Sequence, residues 1–195
     1  MTEAMAARTE IRLAGEGGQG MILAGIILAE AASIYDGKMA VQTQSYGPEA
    51  RGGASKSEVV IAAGEIDHPE VLAADVVLTL SQEAFDKYAG SVKPGGLLIV
   101  DSDAVHALRA PEAVKIPIGW LALEKTGKAI TANTVALGVL VGLTGVVSRA
   151  AIEKAVTARA PRGTEEMNRQ ALQAGFEAAE LAGDANKGLA NGLEV

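Results

Sequence analysis

Short apolar runs alternate with longer helix-like stretches over the first 120 residues of the chain. Runs of about four to eight apolar residues between glycine, proline or polar residues are typical of buried β-strands. KPGG, residues 93–96, is predicted as a turn into the fifth strand, and Pro117 indicates that the sixth lies at a sheet edge or ends there. The six predicted strands cover residues 9–15, 38–45, 55–66, 74–80, 97–103 and 114–120.

Helices are predicted between some of these strands. Residues 20–37 form the first helix, with Gly37 as its C-terminal cap. Residues 81–90 form another, with Ser81 as its N-cap. The sequence DHPE, residues 67–70, resembles a helix start because an N-cap residue is followed by proline and a capping glutamate.

The chain is predicted to be helical from residue 132 onward. Three helices are expected, at residues 133–147, 148–158 and 164–181. Asn133 and Ser148 are the predicted N-caps of the first two, since their side chains accept hydrogen bonds from free backbone N–H groups.

Alternating strands and helices predict an α/β fold: a three-layer, Rossmann-like domain with a mostly parallel sheet, helices on both faces and a helical C-terminal third. We expect one domain over residues 1–182 and a flexible tail over 183–195. Ligands of such sheets bind beyond the carboxyl ends of the strands. Four residues that follow strands are therefore expected to converge on one edge: Gly15, Ser45, Asp101 and Asp103.

The amino-acid composition of the chain argues against several functional classes. The chain has 195 residues, a formal net charge of −7 and no Lys/Arg-rich run, which argues against a nucleic-acid or polybasic membrane surface. It has no cysteine, so it cannot form a disulfide, a thiolate nucleophile or a cysteine-ligated iron–sulfur cluster. The longest apolar run, residues 135–147, is shorter than the ~20 residues of a membrane span. A cytoplasmic location is expected.

The sequence GEGGQG matches the pattern G-x-G-x-x-G through Gly15, Gly17 and Gly20, and it follows a strand and opens a helix. Free N–H groups at a helix start attract phosphate or carboxylate. No acidic residue stands where a nicotinamide ribose would need one, and Met21 and Ile22 replace the lysine and hydroxyl residue of a Walker A motif. The alternative is a tight strand–helix turn with close backbone packing, which leaves Gln19 unexplained.

The second unusual stretch is SYGPEARGGAS, residues 45–55. Arg51 carries a planar guanidinium that suits a carboxylate or phosphate. Gly52 and Gly53 allow close approach of a ligand or another backbone. The alternative is that Arg51 pairs with Glu49 and only fixes the loop.

These stretches resemble the gamma subunit of 2-oxoacid:ferredoxin oxidoreductases. GEGGQG before an alanine-rich helix and QTQSYGPEARGGASKSEVVI carry the resemblance, with ADVVLTLSQEAFDKY, GGLLIVDSD, TANTVALGVLVG and APRGTEEMNRQALQAGFEAA in support. The similarity spans about residues 8–180. SYGPEARGG favours the 2-oxoglutarate (KGOR) type. The alternatives are a gamma-type subunit for pyruvate, a branched-chain 2-oxoacid or indolepyruvate, or a stand-alone nucleotide-binding protein.

The resemblance implies a subunit of a complex that decarboxylates a 2-oxoacid oxidatively with CoA, giving acyl-CoA and CO₂ and reducing ferredoxin. Thiamine diphosphate, Mg and the iron–sulfur cluster are then expected on partner subunits, namely alpha, beta and, as a further candidate, a ferredoxin-like subunit. This chain is expected to hold no complete active site, no catalytic residue and no metal. It would pack on the thiamine-diphosphate-binding subunits.

Both loops are expected to border the CoA or active-site entrance of that complex. The predicted binding residues are Gly15, Gly17, Gly18, Gln19, Gly20, Ser45, Tyr46, Gly47, Arg51, Gly52 and Gly53.

Three further features have two interpretations each. The glycine ridge Gly138, Gly142 and Gly145 packs against either a partner subunit or another helix of this chain. Asp101 and Asp103 either bind a cation or cap a helix. The two histidines are isolated along the sequence, which favours ordinary structural roles over a metal site.

Overall fold

The computed structural model describes residues 8–45, 54–110 and 112–191, with side chains as far as residue 183. Residues 46–53 of the predicted second loop therefore lie outside the described residues, and with them the predicted binding residues Tyr46, Gly47, Arg51, Gly52 and Gly53 and the alternative Arg51–Glu49 pair. Six strands form one sheet in the order β2-β3-β1-β4-β5-β6. They are β1 (Arg8–Glu16), β2 (Met39–Ser45), β3 (Ala54–Ala62), β4 (Ala74–Thr79), β5 (Val92–Asp101) and β6 (Val114–Ile116).

The sheet is mixed but mostly parallel in strand direction. β1 pairs with β4, β4 with β5 and β5 with β6 in parallel. β3 is antiparallel to both of its neighbours, β1 and β2. The carboxyl ends of β1, β2, β4, β5 and β6 therefore lie at one edge of the sheet, which is the edge where β3 begins.

Helices cover both faces of the sheet, as predicted, although unequally. Among the described helices, α2 packs on one face and the other five contribute to the main core on the opposite face. The helices are α1 (Met21–Glu30), α2 (Gln82–Tyr88), α3 (Ile118–Thr126), α4 (Ala132–Thr144), α5 (Arg149–Arg159) and α6 (Glu165–Asn191). A π-helical turn, Ala31–Tyr35, extends α1, and Gly37 follows it with a left-handed φ of 65°.

Of the N-caps predicted for α2, α4 and α5, two behave as expected and one does not. The hydroxyls of Ser81 and Ser148 accept hydrogen bonds from the N–H groups of Ala84 and Ala151, at the starts of α2 and α5. The prediction that Asn133 caps α4 is wrong. The N-cap position is Thr131, which makes no side-chain cap bond, and Asn133 lies within the first turn.

Residues 67–70 do not begin a helix. Only three residues separate Glu70 from β4, which starts at Ala74, and this is less than one helical turn. The predicted turn at residues 93–96 is also wrong, because β5 already begins at Val92. Gly95 has a φ of 76°, and the β4–β5 register shifts between Ala74 and Val76, so the glycine-containing segment forms an irregular part of the strand.

The predicted sixth strand is only partly correct. β6 is an edge strand that ends at Ile116, and Pro117 follows it, which confirms the role predicted for the proline. The remaining residues of that run open α3, which the sequence pattern missed. At the other end of the chain, α6 continues past residue 181 to Asn191. The flexible tail over 183–195 stays a prediction.

The glycine ridge of α4 packs inside the molecule. A Cβ on Gly138 would overlap the carbonyl oxygen of Leu172, and a Cβ on Gly175 would overlap that of Val135. A Cβ on Gly142 would lie 2.6 Å from the Cβ of Ala179. The internal interpretation is therefore confirmed for these residues, because α4 and α6 touch along their backbones.

Gly145 does not belong to this contact, since it ends α4 in a left-handed conformation. Nine consecutive residues of α4, Asn133–Val141, are buried.

Within the described part of the chain, none of the helices combines the length and the apolar character needed to cross a bilayer.

We predict that Gly175→Ala destabilises the chain by about 1–3 kcal/mol, because overpacking outweighs the better helix propensity of alanine. Gly183 lies in the same helix, and a Cβ there would meet nothing within 4 Å. Gly183→Ala is therefore the matched control and should stabilise the chain by up to about 1 kcal/mol. Urea unfolding of both variants measures the effect, and equal stabilisation by the two substitutions would contradict close α4–α6 packing.

Candidate functional site

The register of β3 brings the ends of both predicted loops to one edge of the sheet. Glu16, at the end of β1, pairs with Ala54 at the start of β3. Ser45, at the end of β2, pairs with Lys56. The first glycine loop and both chain ends of the second loop therefore meet at the carboxyl edge of the sheet, as the sequence predicted for Gly15 and Ser45.

Hydrogen bonds fix the start of β3 to its surroundings. The Ser55 hydroxyl donates to the Gly15 carbonyl at 3.2 Å. The Ala54 N–H donates to the Glu83 carboxylate, in the first turn of α2, at 3.0 Å. The residues that follow the second loop are thus held by the first loop on one side and by α2 on the other.

Gln19 closes the first loop. Its N–H donates to the Glu16 carbonyl at 3.1 Å, and its side-chain oxygen accepts from the Glu16 N–H at 2.7 Å. Its side-chain nitrogen donates to the Leu80 carbonyl at 3.1 Å. A Cβ on Gly15 would lie 2.5 Å from Gln19 Oε1, so a side chain at this position would displace the Gln19 amide from its hydrogen bonds. The structure thus supplies the role for Gln19 that a simple turn left unexplained.

The other glycines of this loop fall into two kinds. Gly18 and Gly20 have left-handed φ values of 93° and 74°, which favour glycine. A Cβ on Gly20 would also lie 2.6 Å from Asn133 Nδ2. Gly17 has no left-handed φ, is exposed, and would place a Cβ in open space. The fold does not require glycine at position 17. The absence of a side chain there leaves room for another molecule to approach the backbone closely.

The N-termini of α1 and α3 both lie at this edge, and they differ in whether acidic side chains bind their free N–H groups. α1 begins without a side-chain cap and without an acidic residue in its first turn. No side chain of its own first turn therefore neutralises its partial positive end. At α3, by contrast, the N–H groups of Ile118 and Gly119 donate to the Asp101 carboxylate, both at 3.1 Å, and the Trp120 N–H donates to Asp103 at 2.7 Å.

Asp101 and Asp103 thus serve as helix caps, the second of their two interpretations. The described residues contain no group of His, Cys, Asp or Glu side chains that could hold a metal ion. Burial raises the pKa of the Asp101 carboxyl above its ordinary value, and the negative charge of Asp103 adds to this. The N–H donors of Asp103, Gly119 and Ile118 oppose that rise but do not cancel it.

Sequence reasoning missed a buried ion network below the loops. Arg12 of β1 donates through Nε to the Glu58 carboxylate of β3 at 2.7 Å and through Nη2 to the Val71 carbonyl at 2.7 Å. Lys56 donates to the same carboxylate at 2.9 Å. Arg12 and Glu58 are only 5% and 8% exposed. Charges of opposite sign in two neighbouring apolar strands were the signal that could have revealed this pair.

Comparison with known proteins defines the class. Residues 10–178 match the family described as pyruvate ferredoxin/flavodoxin oxidoreductase. The match covers most of the chain, and the chain belongs to this family.

Close relatives then show which type of subunit the chain resembles. The 2-oxoglutarate synthase subunit KorC of Methanocaldococcus jannaschii is 53% identical over 176 residues, or 88% of this chain and 94% of the relative. Relatives named for pyruvate or ketoisovalerate match less closely. The crystal structure of a keto/oxoacid ferredoxin oxidoreductase gamma subunit from Geobacter sulfurreducens superposes with a TM-score of 0.83 at 55% identity, covering 91% of this chain and 99% of that one.

A more distant structure shares the fold. The 2-oxoglutarate:ferredoxin oxidoreductase from Magnetococcus marinus, solved with 2-oxoglutarate, coenzyme A and succinyl-CoA bound, has a TM-score of 0.80 at 22% identity. The match covers 90% of this chain but 32% of that chain. Together these similarities confirm the predicted α/β fold and the predicted resemblance to gamma subunits of the 2-oxoglutarate type.

The raised pKa of Asp101 predicts a pH dependence of stability. Between the ordinary value of 3.8 and the raised folded-state pKa, the folded chain binds more protons at Asp101 than the unfolded chain. The contribution of Asp101 to stability should therefore fall as the pH rises through this window. Asp101→Asn stays neutral throughout and serves as the reference.

Urea unfolding across a pH series measures the free energy of unfolding of both proteins. The wild-type value minus the Asp101→Asn value should decrease as the pH rises from about 3.8, and it should then level off. A difference that grows with pH would contradict the assignment of Asp101 as a group with a raised pKa.

Proposed function

We propose that this chain is the gamma subunit of a complex that converts 2-oxoglutarate and CoA to succinyl-CoA and CO₂ and transfers two electrons to ferredoxin. The name and 53% identity of the KorC relative support the choice of 2-oxoglutarate. The chain contributes a binding surface to this reaction and no catalytic side chain.

The cofactors of the reaction belong to other subunits in this proposal. The chain has no cysteine to ligate an iron–sulfur cluster. No acidic cluster for a magnesium ion occurs in the described residues, and the sequence contains no G-D-G…N motif for thiamine diphosphate. We therefore assign these groups to alpha and beta subunits and a ferredoxin-like subunit. The cytoplasmic location of the complex also stays a prediction.

The carboxyl edge of the sheet is the proposed contact with the thiamine-diphosphate-binding subunits and with CoA. The observation that carries this proposal is the combination of an uncapped α1 start with an exposed Gly17 whose glycine the fold does not require. Backbone N–H groups at such a start suit a phosphate group, and CoA carries several. The described ends of the second loop, Ser45 and Ala54, lie at the same edge.

Arg51 is the proposed cation of this surface. Its planar guanidinium would bind a CoA phosphate or the substrate carboxylate. The competing interpretation, a loop-fixing pair with Glu49, predicts a structural effect without a specific change in ligand affinity.

The Arg51→Ala variant separates these interpretations when it is assayed in the whole complex, purified from the organism that produces it. We expect the KM for CoA to rise about tenfold or more, since a charge-assisted hydrogen bond contributes about 1.5–3 kcal/mol. The assay is the reduction of ferredoxin with 2-oxoglutarate and CoA varied in turn. Arg159→Ala is the control, because Arg159 pairs with Glu30 at the opposite end of α1 and is exposed.

A rise confined to the KM for 2-oxoglutarate would instead assign Arg51 to the substrate carboxylate. Wild-type KM values for both ligands, with the complex intact, would eliminate the ligand role of Arg51. Purified complex that lacks 2-oxoglutarate-dependent activity but oxidises pyruvate would overturn the proposed substrate.

A further inference from the structure

Asn133 is a buried polar residue whose side chain is directed at the first glycine loop. It lies in the first turn of α4 and is 8% exposed. Its Nδ2 atom donates a long hydrogen bond of 3.4 Å to the carbonyl of Gly20, 113 residues away in sequence. A Cβ on Gly20 would lie 2.6 Å from the same nitrogen, so the two residues are in close contact.

Asn133 continues into a polar chain that reaches α6. The Thr134 hydroxyl lies 3.4 Å from Asn133 Oδ1 and 3.0 Å from Asn168 Oδ1. Asn168 Nδ2 donates to the Thr164 carbonyl, just before α6, at 3.0 Å. Burial of polar side chains costs free energy unless they are hydrogen-bonded. This chain of contacts joins the starts of α1, α4 and α6.

The helix itself does not need an amide at this position. Asn133 is not the N-cap of α4, and the residues after Thr134 are buried and mostly apolar. The Gly20 carbonyl already accepts a 2.9 Å hydrogen bond from the Ala24 N–H, which is the first backbone bond of α1. The contact of Asn133 with Gly20 therefore constrains the loop more than it completes either helix.

Gln19 holds the loop from the opposite side. Its side chain connects the Glu16 N–H to the Leu80 carbonyl beyond β4. The loop is thus held between the end of β4 and the start of α4, and Gly17 and Gly18 remain exposed between these contacts.

We propose that Asn133 is a positioning residue for ligand binding: it holds Gly20 in its left-handed conformation and so orients the N–H groups at the uncapped start of α1. This inference rests on the proposed function, in which that loop borders the CoA entrance. Asn133 itself does not touch the ligand.

Asn133→Leu in the assembled complex tests the proposal. Leucine has a similar shape but cannot form a hydrogen bond, and the former partners Gly20 and Thr134 keep their other hydrogen bonds. We expect the KM for CoA to rise three- to tenfold, kcat at saturating CoA to change less than twofold, and the melting temperature to stay near that of the wild type. Hydrogen exchange of the amides at 17–23 should become faster.

Thr131→Val is the matched control. Thr131 is 2% exposed at the start of α4, and its hydroxyl bonds the Thr126 hydroxyl and the Lys128 carbonyl, both at 2.8 Å. The variant removes a buried hydroxyl at the same helix start without touching the loop. It should leave the KM for CoA unchanged. Asn133→Ala provides a second test of the missing amide if leucine does not fit.

The outcomes separate this inference from the proposed function. Wild-type KM for CoA in Asn133→Leu and Asn133→Ala, together with a raised KM in Arg51→Ala, would overturn the role of Asn133 alone. Wild-type KM values in all three variants would overturn the placement of the loop at CoA as well. A loss of melting temperature with equal falls in kcat and kcat/KM would show a merely structural role and would also overturn the inference.

Discussion

The antiparallel insertion of β3 between β2 and β1 is the constraint on which the candidate site depends. It pairs Ala54 with Glu16 and Lys56 with Ser45, so that two loops distant in sequence start and end at one edge. A register slip of one residue would turn every side chain of a strand to the other face. The buried Arg12–Glu58 pair favours this register, because a slip would separate two buried charges that bind each other across the strands.

Helix packing then decides which backbone groups remain available at that edge. The acids Asp101 and Asp103 satisfy the start of α3, whereas α1 starts without a side-chain cap. Close α4–α6 packing through Gly138 and Gly175 fixes the position of α4 and therefore that of Asn133. A loop of small residues can present an ordered backbone here because its surroundings hold it at several points.

The sequence predicted those features that depend on neighbours along the chain. The approximate positions of β1 to β4, the caps Ser81 and Ser148 and the role of Pro117 followed from local patterns, and the fold class followed from the order of the elements. Features that depend on distant partners were missed. α3 was missed, and its first three residues were assigned to the sixth strand, because its caps, Asp101 and Asp103, lie 17 residues before the N–H groups of Ile118 and Trp120.

The same limit applies to the candidate site. Asn133 has the residue type of a local cap, yet its amide contacts Gly20 on another helix. Gln19 has the composition of a ligand contact, and the structure shows that both ends of its amide bind backbone groups of this chain. Local sequence can identify an unusual residue, but only the fold determines which partner that residue meets.

Chemical cross-linking between the two loops tests the central claim most directly. The chain has no cysteine, so the double variant Gly17→Cys/Gly52→Cys carries only the two intended thiols. A thiol cross-linker of about 10 Å, roughly two strand spacings, should join them within one chain, as peptide mapping would show. Reaction only with much longer linkers would contradict the account, because the two loops would then not share one edge of the sheet.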